Sequence, residues 1–174
     1  FDSSIDEDSA EVSVELSGIT AGGGESQPLR VTAVSSDTSL IAIVFVDYAS
    51  ASSTGTLRYQ PLANQSGSST ITVTVTDGGF DGDLDTPTDN AVFQIEFTVT
   101  VNPINDAPTL DALSDITIDE DAPEQTVNLT GISAGGGESQ ALRVFASSGN
   151  SAVIPDPSVI YTSGNASGSI KFTP

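Results

Sequence analysis

The sequence predicts an all-β protein made of tandem antiparallel β-sandwiches. Three observations favour this fold class. Short segments in which apolar and polar residues alternate recur along the chain, with Gly, Asn, Asp and Ser between them. Ser, Thr, Val and Ile are abundant, which is typical of strands and turns, and no segment has a convincing helical pattern. Long stretches from the first part of the 174 residues also recur in the second part.

The alternating segments predict the strands of the first repeat in order. The apolar run 40–46 is also expected to be a strand at a sheet edge, because its counterpart contains Pro155 and Pro157 and proline cannot donate to a ladder. The short segment around Ile116 and Ile118 predicts one further strand in each repeat. The total is about seven strands in about 110 residues, which is the pattern of an immunoglobulin-like sandwich. The residues predicted to face the core are Val12, Val14, Leu16, Leu29, Val31, Ala33, Leu57, Tyr59, Ile71, Val73, Val75, Phe93, Ile95, Phe97, Val99 and Val101.

An internal repeat sets the predicted domain organisation. Residues 5–8, IDED, recur at 118–121; residues 18–31 recur at 131–144, and residues 55–61 recur at 168–174. Each pair is 113 positions apart, a spacing the size of a domain. We therefore predict one sandwich over residues 1–106, short of its opening segment, and a second over residues 107–174.

The second repeat has no counterpart of residues 62–106, a range that holds two of the best strands of the first repeat. Loss of central strands exposes a core and leaves unpaired edges. We expect the missing strands to follow Pro174 in a longer polypeptide. The alternative is that strands from a neighbouring chain complete the sandwich, which repeated head to tail would build a fibre.

The charge and composition exclude several function classes. The net charge is −20, from 24 acidic and four basic residues, so neither nucleic acid nor an anionic membrane is an expected partner. No run of residues is long enough to span a bilayer, and no signal peptide is recognisable. The chain has no His and no Cys, so Ser nucleophiles lack an obvious base and we predict no enzyme activity.

Two acidic clusters predict calcium, a hard cation that takes six to eight oxygen ligands. The first surrounds residues 101–121, where Pro103 and Pro108 stiffen the chain and where the first and last strands are expected to end. The second is the loop 77–85 between the last two strands. The alternative for the first cluster is a solvated linker without a metal, and the alternative for the second is a solvated hairpin tip. The candidate calcium ligands are Asp6, Glu7, Asp8, Asp77, Asp81, Asp83, Asp85, Asn105, Asp106, Asp119, Glu120, Asp121 and Glu138.

The two AGGGE turns, at 21–25 and 134–138, are not phosphate loops, because no Gly-Lys-Ser/Thr and no helix follow them. Their glycines are expected to adopt positive φ in a tight turn. Glu25 and Glu138 then have two readings: they are ligands of a cation, or they only hydrogen-bond their own turns. Three matches to the N-glycosylation pattern, at Asn64, Asn128 and Asn165, leave modification open.

Three stretches carry a family resemblance: VNPINDAP at 101–108, the acidic run at 119–121, and TVTVTDGG ending at Gly79. They resemble the tandem cadherin-like, immunoglobulin-like repeats of large bacterial surface and secreted proteins. The resemblance covers essentially the whole chain. It implies an extracellular or cell-surface stalk, adhesin or fibre whose partners are neighbouring repeats, with calcium stiffening its joints. The linker departs from animal cadherins, which carry a richer D-x-N-D-N pattern.

The rival prediction is a calcium-dependent carbohydrate-binding module with a polysaccharide partner. Such modules display aromatic side chains on an exposed face. Aromatic residues make up only 6% of this chain, and most fall on inward positions. Phe80 and Phe145 are the expected exceptions.

Overall fold

The computed structural model describes residues 2–174. These residues form ten strands and no helix, which confirms the all-β prediction. The chain divides into two compact units, residues 1–104 and residues 105–174, called unit 1 and unit 2 below. The division falls two residues before the predicted boundary at 106. No helix in residues 2–174 is long and apolar enough to cross a membrane.

Unit 1 contains seven strands in the places that the alternation predicts. They are β1 (Ser3–Asp6), β2 (Val12–Ser17), β3 (Leu29–Ser35), β4 (Ile41–Asp47), β5 (Thr54–Pro61), β6 (Gly67–Asp77) and β7 (Val92–Asn102). They form a four-stranded sheet in the order β1-β7-β6-β3 and a three-stranded sheet in the order β2-β5-β4. The order places β4 at a sheet edge, as predicted.

The core of unit 1 lies between its two sheets. Leu57 and Tyr59 of one sheet and Ile71 and Val99 of the other have no exposed surface. The rings of Tyr59 and Phe97 are 6.3 Å apart, between centroids, and tilted by 55°. This packing is that of a β-sandwich.

Two details of unit 1 differ from the prediction. Strand β1 pairs with β7 in parallel, because both strands end at the same edge of the unit, whereas all other pairs are antiparallel. Phe93 and Ile95, predicted to face the core, are exposed to 68% and 56%. The pairing of β1 begins only at Ser3 opposite Val99, so among the described residues nothing pairs with the first half of β7 on that side.

Unit 2 contains one three-stranded sheet in the order β8-β10-β9. Its strands are β8 (Gln125–Leu129), β9 (Ser158–Ile160) and β10 (Gly168–Phe172). The pairing of Gly168 with Leu129 lies 113 positions after the pairing of Gly55 with Leu16. Unit 2 therefore repeats the sheet β2-β5-β4 in the same register.

The backbone also repeats at the same offset. Asp8 and Asp121 adopt positive φ values of 62° and 61°. All six glycines of the two AGGGE turns have positive φ, as predicted. An ion pair recurs as well, because Arg58 contacts Glu11 at 3.4 Å and the equivalent Lys171 contacts Glu124 at 3.0 Å. The sequence repeat is thus a repeat of local structure.

Candidate cation-binding site

A small open cavity of about 130 Å³ lies at the end of unit 1 that carries the β6–β7 loop. The polar side chains around it come from the segment before β3, the end of β6 and the end of the loop. The residues that line it are Glu25, Gln27, Asp77, Gly79, Phe80, Asp89 and Ala91. Glu25 thus meets both ends of the β6–β7 loop at this cavity.

Asp77 is the most firmly held carboxylate of this cavity. It is the last residue of β6 and only 8% exposed. Its Oδ1 accepts hydrogen bonds from the backbone N–H groups of Gly79, at 3.1 Å, and Ala91, at 2.8 Å. The two bonds close the base of the loop, so the carboxylate is fixed where β6 ends and β7 is about to begin.

Two further oxygens at the cavity are buried without a hydrogen-bond donor in the described part of the chain. They are Oε1 of Gln27 and Oδ1 of Asp89. The other oxygen of Asp89 accepts from the backbone N–H of Phe80 at 2.7 Å, and the amide of Gln27 donates to Glu25 at 3.1 Å. Buried acceptors are normally satisfied by a donor, an ordered water or an ion.

The chemistry of this donor set suits a hard cation. Three of the lining residues, Glu25, Asp77 and Asp89, carry carboxylates, and no basic side chain lines the cavity. Calcium prefers carboxylate, amide and water oxygens in flexible geometry. No three Asp or Glu side chains within residues 2–174 are grouped closely enough to hold a metal by themselves. An ion here would therefore also use Gln27, backbone carbonyls or water.

Sequence reasoning missed Gln27 and Asp89. Asp89 lies twelve positions after Asp77, near the far end of the β6–β7 loop, which covers residues 78–91. The signal that could have found it is the closure of the loop, which returns the chain to the start of β7 next to the end of β6. No such signal marks Gln27, which is a polar residue in an irregular segment.

The other acidic residues of the loop do not line the cavity. Asp81 accepts from the backbone N–H of Asp83, and Asp83 accepts from the N–H of Asp85, each at 2.9 Å. Asp85 forms an ion pair of 2.6 Å with Arg30. The Asp85 N–H, the Thr86 hydroxyl and the nearby Arg30 hold the pKa of Asp83 below its usual value. Asp81 and Asp83 thus hold local turns and Asp85 pairs with Arg30, and the role of all three as metal ligands stays a prediction.

The first acidic run meets the end of β7 inside unit 1, as the predicted topology requires. Glu7 is only 6% exposed, and its Oε1 accepts from the backbone N–H of Ile104 at 2.7 Å. Asp6 accepts from the side-chain amide of Asn102 at 3.2 Å. Asp8 accepts from the backbone N–H of Asn64 at 3.0 Å. These carboxylates hold strand ends and a loop in place.

Unit 2 brings together three of its candidate residues and one neighbour. The backbone N–H of Asp106 donates to Glu138 at 3.0 Å. The amide of Gln140 donates both to Glu138, at 3.0 Å, and to Asn105, at 2.9 Å. Glu138 therefore accepts hydrogen bonds from Asp106, at the start of unit 2, and from Gln140, so its contacts are not limited to its own turn.

The second acidic run lines a shallow cavity of about 250 Å³ in unit 2. Asp119, Glu120 and Asp121 are all exposed. Val153 and Ile154 form part of the same lining, so the surface is partly apolar. The predicted calcium ligands in residues 101–121 and at Glu138 stay a prediction.

No protein-family model matches the chain. No curated protein matches it. A solved structure titled "Structure of surface layer protein SbsC, domains 4-9" aligns with 97% of this chain at 15% identity, with a TM-score of 0.37. The aligned region is 25% of that chain, so this chain spans about a quarter of its length. A similarity at this level assigns no function.

Proposed function

We propose that the chain is a structural segment of a repetitive extracellular protein, a stalk, adhesin or fibre, and that unit 1 binds calcium. One observation carries the calcium part of the proposal. The hydrogen-bonded carboxylate of Asp77 and the buried oxygens of Asp89 and Gln27 that lack a donor among the described residues lie around one small cavity, which no basic residue lines. The repetition of local structure at a domain-sized interval supports the structural role.

Calcium would stabilise unit 1 in two ways. The ion supplies the electrostatic partner that the buried oxygens lack, and it offsets part of the repulsion within a chain of net charge −20. A ligand that binds only the folded state stabilises it by about 2.7 kcal/mol at a hundredfold excess over its Kd. Loops that close around such an ion also resist opening, which suits a mechanical role.

The test compares binding and unfolding of the intact chain with calcium and with a chelator. We expect calorimetric titration to detect calcium, and the melting temperature to fall when the chelator is added. Asp77→Asn keeps the shape and one acceptor of the side chain but removes its charge, so it should weaken binding at least tenfold. Asp83→Asn is the matched control from the same loop and should bind like the parent chain.

Two outcomes would contradict the calcium proposal. Identical melting in calcium and chelator would show that no stabilising ion binds. Equal loss in Asp77→Asn and Asp83→Asn would show that the ion lies in the outer part of the loop instead of the cavity.

Phe80 favours a second candidate function, calcium-dependent carbohydrate binding. Its side chain is 92% exposed and forms part of the lining of the same cavity. Exposed aromatic rings beside a bound cation suit the apolar face of a sugar. A polysaccharide screen with and without calcium tests this role: Phe80→Ala should abolish binding, whereas Phe145→Ala, which removes an exposed ring in unit 2, should not.

A further inference from the structure

Strand β4 of unit 1 has a hydrogen-bonded neighbour on one side only. It pairs with β5 and is the last strand in the order β2-β5-β4. Its pairing with β5 is regular from residue 43 to Asp47, after one register shift next to Ile41. The opposite edge of these five residues therefore presents backbone N–H and C=O groups that no strand among the described residues pairs.

The composition of β4 does not protect this edge. Proteins usually block a free edge with charged side chains, with proline or by making the strand very short. β2 and β3, which are also edge strands, carry Glu15 and Arg30 within their length. Residues 41–46 are all apolar, and the only charge of β4 is that of Asp47 at its end. Phe45 lies in the middle of the regular stretch and is 56% exposed.

The second repeat has the protection that β4 lacks. The counterparts of residues 41–47 are residues 154–160, which read IPDPSVI. Pro155 and Pro157 cannot donate to a ladder, and the strand at this place, β9, is only three residues long. The other two strands of the sheet keep the same register in both repeats. The open edge is therefore specific to the first repeat.

We propose that the free edge of β4 pairs antiparallel with β4 of a second copy of the chain, around a two-fold axis at Phe45. In this register the two Phe45 side chains lie opposite each other on the outer face of the sheet. Val44 and Val46, which pack against the core in each copy, lie opposite each other on the inner face. The three-stranded sheets of the two copies then form one continuous sheet of six strands.

A second copy fits this edge because β4 meets its own requirements as a partner. The occupant must be an extended apolar strand with a free edge, and β4 itself is such a strand. Because each copy has a net charge of −20, association through an acidic surface would meet repulsion. In the register centred on Phe45, the two Asp47 residues lie about 14 Å apart, beyond the Debye length of about 8 Å. Arg58, directly opposite Phe45 on β5, adds positive charge beside the axis.

The size of the interface sets the expected affinity. Pairing of five residues from each chain covers much less than the total area of about 1,600 Å² that is typical of stable complexes, so the dimer should be weak. Added salt should strengthen it, because salt screens the repulsion between the two acidic chains. The proposal does not depend on calcium, and the experiments are therefore done in chelator.

The first test is analytical ultracentrifugation of the intact chain from about 1 μM to about 1 mM. We expect a monomer–dimer equilibrium. Phe45→Lys places two like charges opposite each other at the axis and should raise the Kd at least tenfold. Val34→Lys is the matched control, because Val34 is 61% exposed on β3 and the change in net charge is the same. It should leave the Kd unchanged.

A charge exchange at Phe45 tests the symmetry of the dimer. Phe45→Lys and Phe45→Glu should each weaken the dimer, whereas an equimolar mixture of the two should bind at least tenfold more tightly than either alone. This recovery requires that residue 45 of one copy lies opposite residue 45 of the other. Melting temperatures equal to that of the parent chain show that both variants fold.

A single thiol gives an independent readout. The chain has no Cys, so Phe45→Cys introduces the only thiol. Directly opposite residues of an antiparallel pair have Cβ atoms about 4.5–5.5 Å apart, close to the separation that a disulfide needs. Under mild oxidation, Phe45→Cys should form a linked dimer at least tenfold faster than Val34→Cys.

Three results overturn the proposal. The first is a chain that stays monomeric over the whole concentration range. The second is an equal effect of Phe45→Lys and Val34→Lys, or a charge-exchange mixture that binds no more tightly than its components. The third is growth beyond the dimer with rising concentration, which would mean that β4 pairs with a different edge of the next copy, such as β2. Calcium titration of the Asp77 and Asp83 variants stays a separate test of the proposed function.

Discussion

The hydroxyl of Tyr59 donates a hydrogen bond of 3.0 Å to the hydroxyl of Ser3. Tyr59 is fully buried, so its hydroxyl depends on this partner. At the equivalent positions of the second repeat stand Phe172 and Ile116, neither of which has a hydroxyl. The repeat therefore uses a polar pair in unit 1 where unit 2 has two apolar residues.

We predict that the two replacements compensate each other in unit 1. Tyr59→Phe leaves the Ser3 hydroxyl without its donor and should cost about 1 kcal/mol of unfolding free energy. Ser3→Ile alone should cost about 1–3 kcal/mol, because it leaves a buried phenol unpaired. The double variant should be more stable than the sum of the two losses implies. Urea unfolding of the four chains measures the coupling, and simple additivity would refute it.

Glu7 and Glu120 provide a matched comparison across the repeat. Glu7 is buried and accepts from the N–H of Ile104, whereas Glu120 is exposed. Glu7→Ala should destabilise unit 1 by about 1.5–3 kcal/mol, because it removes a hydrogen bond to a charged group. Glu120→Ala should stay within about 0.5 kcal/mol of the parent. Equal effects in thermal unfolding would mean that the Glu7 bond adds no stability.

Much of the fold could be predicted because the relevant signals are local. Alternation places the strands, glycine-rich turns demand positive φ, and the prolines of the second repeat mark an edge strand in the first. The exposure of Phe93 and Ile95 could not be predicted in this way. Alternation predicts the face of the strand on which a side chain lies, but the cover of that face depends on packing with other elements.

The candidate site was only partly predictable for a similar reason. The acidic loop between the last two strands follows from the strand order. The choice of ligands does not, because it depends on which carboxylates the loop uses for its own turns. Asp83 accepts hydrogen bonds within the loop and Asp85 pairs with Arg30. Asp89, by contrast, lines the cavity together with Asp77 at the end of β6.

The titration of Asp83 gives a prediction with a defined sign. Its folded-state pKa is lowered from 3.8, mainly by the Asp85 N–H and the Thr86 hydroxyl. The lowered pKa favours folding above pH 3.8, and this contribution disappears as the pH falls through the folded-state pKa. Carbon-13 NMR of the carboxyl group should show a midpoint below 3.8.

Thr86→Val should raise that midpoint, because it removes one of the two donors. Thr88→Val, in the same loop, should leave it unchanged. A midpoint at 3.8 in the parent chain, or an equal shift in both variants, would show that the Asx-type bonds of the loop do not form in solution.

Substitutions at two glycines of the loop distinguish the cost of backbone strain from the effect of disturbing the cavity. Gly79 and Gly82 both have positive φ, at 57° and 73°. A Cβ added at Gly79 would lie 2.5 Å from the carboxylate of Asp89, whereas one at Gly82 would meet nothing closer than 4.0 Å. Gly82→Ala should therefore cost only the strain of a left-handed residue, roughly 1–2 kcal/mol.

Gly79→Ala should cost about 1 kcal/mol more, because Asp89 must move and release the N–H of Phe80. It should also weaken calcium binding, because Asp89 leaves the cavity, while Gly82→Ala should bind calcium like the parent chain. Thermal unfolding in chelator gives the first comparison, and calorimetric titration with calcium gives the second. A Gly79→Ala chain that keeps full calcium affinity would remove Asp89 from the ligand set and leave Asp77, Glu25 and Gln27 as the candidate ligands.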